Sequence, residues 1–271
     1  MRRVIFNQKG GVGKSTITCN LAAISAIEGK RTLVIDLDIQ CNSTQYLLGE
    51  KVSDSDKTIA HFFKDCLSLS LFGSGSSGSG LESAIHETPF PNLFVIPAHP
   101  ELEPLQGRLE SRMKIFKLKE ALDNLDGFDV IYIDTPPILN FYSQSALIAA
   151  DKCLIPFDCD SFSREALYTL MQSIAEIKAD HNQHLEIEGI IVNQFQKQAN
   201  LPNQLVDELI AEGLPVLASM ISPSVKVRES HTVSQPLVHY VPGHKLTKEY
   251  RALHEEIHGK KSKSKAKKAR A

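Results

Sequence analysis

The chain has 271 residues, 42% hydrophobic and 23% charged, with a formal net charge of −2. That length and balance fit a globular protein burying a substantial core in one or two domains. No apolar run reaches the ~18–20 residues that span a bilayer, and the run behind Arg2 and Arg3 stops after Phe6, too early for a signal peptide, so a cytoplasmic location is expected. The first strand is Val4–Phe6, and a glycine-rich loop, Lys9 to Thr16, follows it directly. Thr16–Glu28 is the first helix, with Ile17, Leu21, Ile24 and Ile27 on one side and Gly29 as its stop. Thr32–Ile35 is a second buried strand, running into Asp36-Leu37-Asp38. A short helix is expected from Ser43 to Gly49, a polar loop over 51–57 and another helix over Thr58–Cys66.

The stretch 73–80 holds only Gly and Ser, so it has nothing to pack with and reads as an inserted flexible loop. Asn92–Pro97 is a third strand. Glu101–Leu125 is a long helical pattern, with a break expected near Pro104 or Gly107. Phe128–Ile133 is an apolar strand ending at Asp134. The alternation continues: Lys152–Phe157 (strand), Ser163–Ala179 (helix, with Leu167, Leu170, Met171 and Ile174 on one side), Leu185–Val192 (strand, ending at Asn193) and Pro202–Glu212 (helix, stopped by Gly213). Val216–Ile221 is expected as a strand, 224–231 as a helical turn and Thr247–His258 as the closing helix.

Near-continuous apolar strands alternating with helices predict one α/β domain over 1–258. Its mostly parallel, twisted sheet should have about seven or eight strands, covered by helices on both faces. Residues 259–271 form a basic tail expected to be disordered: they hold seven of the 30 Lys and Arg and no acid. The remaining 23 basic residues stand against 32 acidic ones, a net of −9, and an acidic body with a basic tail calls for a partner. Cys19, Cys41, Cys66, Cys153 and Cys159 show no Cys-x-x-Cys or zinc-like spacing and read as reduced thiols.

The strand–loop–helix at Lys9-Gly10-Gly11-Val12-Gly13-Lys14-Ser15-Thr16 is a phosphate loop in which Gln8 replaces the usual first glycine. Its glycines let backbone N–H groups turn onto phosphate oxygens, and the helix N-terminus points at the same anion. Lys14 is placed to reach the β/γ-phosphates and Ser15 to ligate Mg²⁺. Asp134, at a strand end, is expected to hold a metal-bound water, the alternative being a cap on the next turn. Asp36 and Asp38 are expected to point apart, one toward a Mg²⁺ water and one orienting the attacking water; two capping acids are the alternative. The loop, Asp36/Asp38, Asp134 and Asn193 all fall at carboxyl ends of predicted strands, where such sheets bind ligands. Lys9 is surplus beside Lys14: it is either a solvated surface lysine or a group aimed outward at a facing subunit's phosphates.

The segments Asn7-Gln8-Lys9-Gly10-Gly11-Val12-Gly13-Lys14-Ser15-Thr16, Asp36-Leu37-Asp38-Ile39-Gln40-Cys41-Asn42 and Ile133-Asp134-Thr135-Pro136-Pro137 closely resemble the ParA/MinD family of deviant phosphate-loop ATPases, nearest its Soj-like branch. The resemblance runs from Met1 to about Gly259. It implies an ATP-sandwiched dimer in which Lys9 reaches across, Lys14 and Thr16 contact phosphate, Ser15 binds Mg²⁺, Asp38 orients water, Asp134 supports the metal and Asn193 is a candidate adenine contact. The family's Asp-Pro-Gln-Gly-Asn stands here as Asp38-Ile39-Gln40-Cys41-Asn42, a less constrained turn. No helix-turn-helix precedes the first strand, so operator-specific repression is not expected.

The same resemblance implies non-specific DNA binding by the ATP dimer, with Lys226, Arg228, Lys245, Lys248 and Arg251 as candidate phosphate contacts, and hydrolysis stimulated by a ParB-like partner. Any of these residues read alone is equally a solvated surface charge. Contacts of this kind give salt dependence rather than sequence preference. MinD-like and flagellar-number relatives bind membranes instead, but the closing helix carries one narrow apolar stripe that reads as packing, so DNA is favoured. The polybasic tail suits either surface. A nitrogenase-type reductase would need a cysteine to carry a cluster, and Asp134–Asn140 has none.

Overall fold

The computed structural model describes residues 1–49, 56–68, 79–159 and 163–259. Most of the Gly/Ser run, most of the expected 51–57 loop and the basic tail beyond Gly259 lie outside them. The described strands are β1 (Arg2–Ile5), β2 (Thr32–Asp36), β3 (His86–Glu87), β4 (Leu93–Ile96), β5 (Val130–Asp134), β6 (Lys152–Asp158) and β7 (Glu186–Asn193). They form one sheet in the order β3-β4-β2-β5-β1-β6-β7. Every pairing is parallel except β3 with β4, an antiparallel edge. The fold is therefore the expected single α/β domain.

Between the strands run α1 (Lys14–Ile27), α2 (Asn42–Leu48), α3 (Ile59–Leu67), α4 (Ser79–Glu82), α5 (Leu102–Ser111), α6 (Lys117–Asp123), α7 (Phe141–Ala149), α8 (Ser163–Asp180), α9 (Asn200–Ala211), α10 (Val225–Thr232), α11 (Leu237–Tyr240) and α12 (Lys245–Ile257). Successive strand residues face opposite sides, so each apolar strand feeds two cores. Val4, Ile35, Ile133 and Ile155 pack with Phe63 of α3, Leu105 of α5, Tyr142 of α7 and Leu170 of α8. Ile5, Val34, Tyr132 and Leu154 pack with Leu21 of α1, Leu47 of α2 and Leu253 of α12. The stripe of α12, Leu246, Tyr250, Leu253 and Ile257, is buried in this second core, as a packing helix requires.

Several boundaries depart from the sequence expectation. The helical pattern after Glu101 breaks at 112–116, where Met113 takes φ 50°, and not at Pro104 or Gly107. Pro104 sits in the first turn of α5, where its missing N–H has no partner to lose. Ser79 and Gly80, expected in the flexible loop, open the one-turn α4. Ile27, expected on the buried side of α1, is 45% exposed as the helix's last residue. The α7 helix was not anticipated; Asn140 starts it by accepting the N–H groups of Tyr142 and Ser143. The strand expected over Val216–Ile221 is reduced to separate contacts with β7. Leu217 N–H donates to Ile190 C=O and Ile221 N–H to Val192 C=O, each at 2.9 Å. Between them the Glu256 carboxylate takes the N–H groups of Ala218 (2.7 Å) and Ser219 (2.8 Å), which pulls that backbone out of the ladder.

Candidate functional site

The carboxyl ends of β1, β2, β5, β6 and β7 meet at one edge of the sheet. Asp36 and Ile5 both register with Asp134, and Asp158 registers with Asn193. The loop after β1 crosses this edge. Asn7 shapes its entry: its side-chain amide donates to Pro156 C=O at 2.6 Å and its Oδ1 accepts the Lys9 N–H at 2.9 Å. Gly11 (φ 77°) and Gly13 (φ 92°) take left-handed conformations that strain other residues. A side chain at Gly10 or Gly11 would meet nothing within 4 Å, so the loop backbone faces open space on that side. A Cβ at Gly13 would overlap the Asn193 amide, which donates to Val12 C=O at 2.9 Å. Asn193 therefore braces the loop from β7, and Gln194 adds a 3.3 Å bond to Gly11 C=O.

Lys14 is buried, 7% exposed, with its ammonium on the Lys9 carbonyl at 3.0 Å. Burial lowers its pKa, while Asp134 and Asp38 pull the other way. Asp134 and Asp38 act on its charge, and Asp134 acts in turn on that of neighbouring Asp36. The strand ends at Asp36, so strand alternation does not set the direction of Asp38. Asp36 turns into the β2–α2 connection: it accepts the Asp38 N–H (3.0 Å), the Thr44 N–H (2.8 Å) and the Thr44 hydroxyl (2.7 Å). Asp38, 5% exposed, accepts the Gln40 N–H at 3.0 Å. Asp134 accepts the Ser43 hydroxyl at 2.7 Å and is hydrogen-bonded by Ser15. Burial raises the pKa of all three acids. For Asp36 the charge of Asp134 adds to this, and for Asp134 that of Asp38.

Lys9 folds back over its own subunit, with Nζ 3.0 and 2.9 Å from the two carboxylate oxygens of Asp158. Thr16 hydrogen-bonds His231 of α10 at 3.0 Å. A cleft of about 500 Å³ opens beside the loop, lined by Gly11, Gly13, Thr16, Asn193, Ser222 and Arg228 among others. Arg228, expected as a DNA contact, thus borders the loop's own cleft. Lys245 reaches Ser222 Oγ at 3.4 Å on the same rim. Lys248 is exposed and Arg251 half-buried on α12, while Lys226 is paired with Glu229 at 2.6 Å.

These residues fit a nucleoside polyphosphate with Mg²⁺. The loop offers an open backbone cradle, a buried ammonium and a serine hydroxyl beside a strand-end carboxylate. Among the described residues no group of three or more His, Cys, Asp or Glu is disposed to hold a metal ion. Mg²⁺ needs no such group when phosphate oxygens, one hydroxyl and waters complete its shell. Sequence reasoning missed Asp158, Asn7, Ser43, Thr44 and His231. The buried acids were the available signal for Ser43 and Thr44, since a buried carboxylate requires donors nearby.

Residues 3–187 match the family described as an AAA domain. The chain is 32% identical over 256 residues to the chromosome partitioning protein ParA of Myxococcus xanthus, covering 93% of this chain and 86% of the relative. It is 30% identical over 259 residues to the chromosome-partitioning ATPase Soj of Thermus thermophilus, covering 95% of each. Its fold matches the structure of a putative plasmid partition protein from Borrelia burgdorferi B31 bound to AMPPNP, with TM-score 0.77, 25% identity and coverage of 96% and 99%. With its loop, acids and sheet order in that arrangement, the chain belongs to the ParA family of partition and positioning ATPases.

Proposed function

We propose that the chain closes on ATP as a dimer, binds DNA without sequence preference in that state, and hydrolyses ATP when a ParB-like partner engages it, so positioning a DNA or protein cargo. ATP and Mg²⁺ are its cofactors. The observation that carries the reading is the gathering of Lys14, Asp38, Asp134 and Ser15 under an open glycine cradle, with Lys9 at its rim. Phosphoryl transfer needs little covalent chemistry from a protein; position and charge do most of the work. Lys14 and the loop N–H groups hold phosphate oxygens, and Thr16 adds a hydroxyl. Mg²⁺, when bound, would neutralise phosphate charge; Ser15 and the Asp134 carboxylate beside it are the groups that would hold it, with Asp36 bracing the turn nearby. Asp38 accepts a proton of the attacking water and aims it. Lys9 leaves Asp158 to reach the facing subunit's phosphates. Asn193, on the cleft wall, is a base contact as well as a brace.

The DNA surface would run from Arg228 and Lys226 on α10 to Lys245, Lys248 and Arg251 on α12, with the tail adding long-range attraction. On this reading the protein associates with the nucleoid. Membrane positioning of the MinD or flagellar-number kind is the second reading. It is disfavoured because the apolar stripe of α12, which an interfacial anchor would need to expose, faces the core. Retention on random-sequence duplex DNA tests the choice. ATP should cause retention and added salt should abolish it. If ATP and salt leave retention unchanged while anionic liposomes hold the protein, the DNA reading is wrong.

A further inference from the structure

Helix α10 is fastened to the phosphate loop's helix by a directed chain of hydrogen bonds. The Asn20 amide donates to Thr16 C=O (2.8 Å) and to Tyr46 OH (3.4 Å), and its Oδ1 accepts the Leu237 N–H (2.8 Å). Ser230 Oγ donates to Val227 C=O at 2.8 Å, so the 2.8 Å bond between Ser230 and Tyr46 has the tyrosine as donor. Every proton on this path has one destination. The His231 ring lies flat on Tyr46, with centroids 3.9 Å apart and planes 13° from parallel. Its Nε2 is 3.0 Å from Thr16 Oγ1, and there the proton has two possible positions.

The choice matters because a hydroxyl has one hydrogen. If Thr16 donates to His231, its lone pairs face the cleft and repel an anion. If His231 donates, the threonine hydrogen is released to point at a phosphate oxygen. We propose that His231 is a positioning residue for nucleotide phosphate: its Nε2–H donates to Thr16, and bound phosphate selects that tautomer. The inference rests on nucleotide binding at this loop. Burial alone lowers the pKa of His231, so the neutral ring chooses between its two tautomers. Occupancy of the loop thereby fixes α10, whose Arg228 lines the same cleft.

Calorimetry of ATP and ADP binding with Mg²⁺ in the parent chain, His231→Phe and His231→Gln tests this. Phenylalanine keeps the stack on Tyr46 and removes the donor; glutamine keeps a permanent donor. The Phe variant should bind about tenfold more weakly, while the Gln variant stays within about threefold of the parent. Independently of any variant, the ¹⁵N signals of His231 in the parent should show Nε2 protonated when ADP is added. Equal losses in both variants, parent affinity in His231→Phe, or an unprotonated Nε2 in the complex would each overturn the proposal while leaving nucleotide binding intact. A parent chain that binds neither nucleotide would overturn both.

Discussion

On the proposed trans role, Lys9 must be held somewhere until a second chain arrives, and Asp158 is the group that holds it in the single chain. The pair is partly exposed, 39% for Lys9 and 25% for Asp158, so it contributes at most about 1 kcal/mol. Engagement of a second subunit's phosphates is then an exchange of partners for Lys9 at small cost. Lys9→Ala should bind ATP with near-parent affinity yet fail to hydrolyse it, and normal turnover would remove the trans role. Asp38→Ala should likewise retain ATP binding and dimerisation while losing turnover by about 10²-fold or more, the usual contribution of a proton-accepting group. Steady-state phosphate release beside equilibrium binding separates these outcomes; parent-rate turnover would show that Asp38 does not orient the water. The gathering of Lys14, Ser15, Asp38 and Asp134 at one edge was legible because a glycine-rich loop and acids at strand ends can be read locally, whereas Lys9 alone read equally as a surface lysine. Asp158 and His231 were not legible: they lie 149 and 215 residues from their partners, and only the sheet order brings them together.

At the scale of elements, the edge beside β7 shows how a predicted strand is lost. Val216–Ile221 has the apolar run of a strand, and Leu217 and Ile221 do bond to β7. Glu256 of α12 outcompetes the ladder between them with a charged acceptor for two N–H groups. Gly189 admits this arrangement, since a Cβ there would come 2.5 Å from Leu217 Cγ. Gly189→Ala should cost about 1–3 kcal/mol, the usual range for overpacking. A urea titration would measure it, and hydrogen exchange at Leu217 and Ile221 should quicken. A variant as stable as the parent would show that Leu217 moves aside freely. α7 was missed for a related reason: eight of its nine residues are buried, so no amphipathic period marks it.

For the whole molecule, the acid cluster sets how stability responds to pH. Burial, then the neighbouring charge, raises Asp36 above the ordinary 3.8, and burial raises Asp134 likewise. The folded protein keeps protons that the unfolded chain releases. Their stabilisation is complete below the unfolded value and is lost as pH rises through the raised folded values. The nucleotide-free and metal-free protein should therefore lose stability progressively from pH ~4, just above the unfolded value, up to ~8. Asp36→Asn should be less stable overall, because Thr44 donates both N–H and hydroxyl to this carboxylate, but flatter with pH. Denaturant midpoints across that range check the slope, and an unchanged slope in the variant would exonerate the cluster.

Helix α12 begins where Lys245 touches the cleft rim and ends where Arg3, at the start of β1, takes the Ile257 carbonyl at 3.0 Å and Glu188 through two bonds. Its 13 residues make a strut about 20 Å long between opposite poles of the sheet. The polybasic segment after Gly259 is therefore rooted at the pole away from the nucleotide. A polyanion drawn to that root would be held at a point remote from the catalytic mouth, in addition to the proposed surface at the cleft rim. Deleting 260–271 should weaken DNA retention and its salt dependence while leaving ATP affinity unchanged.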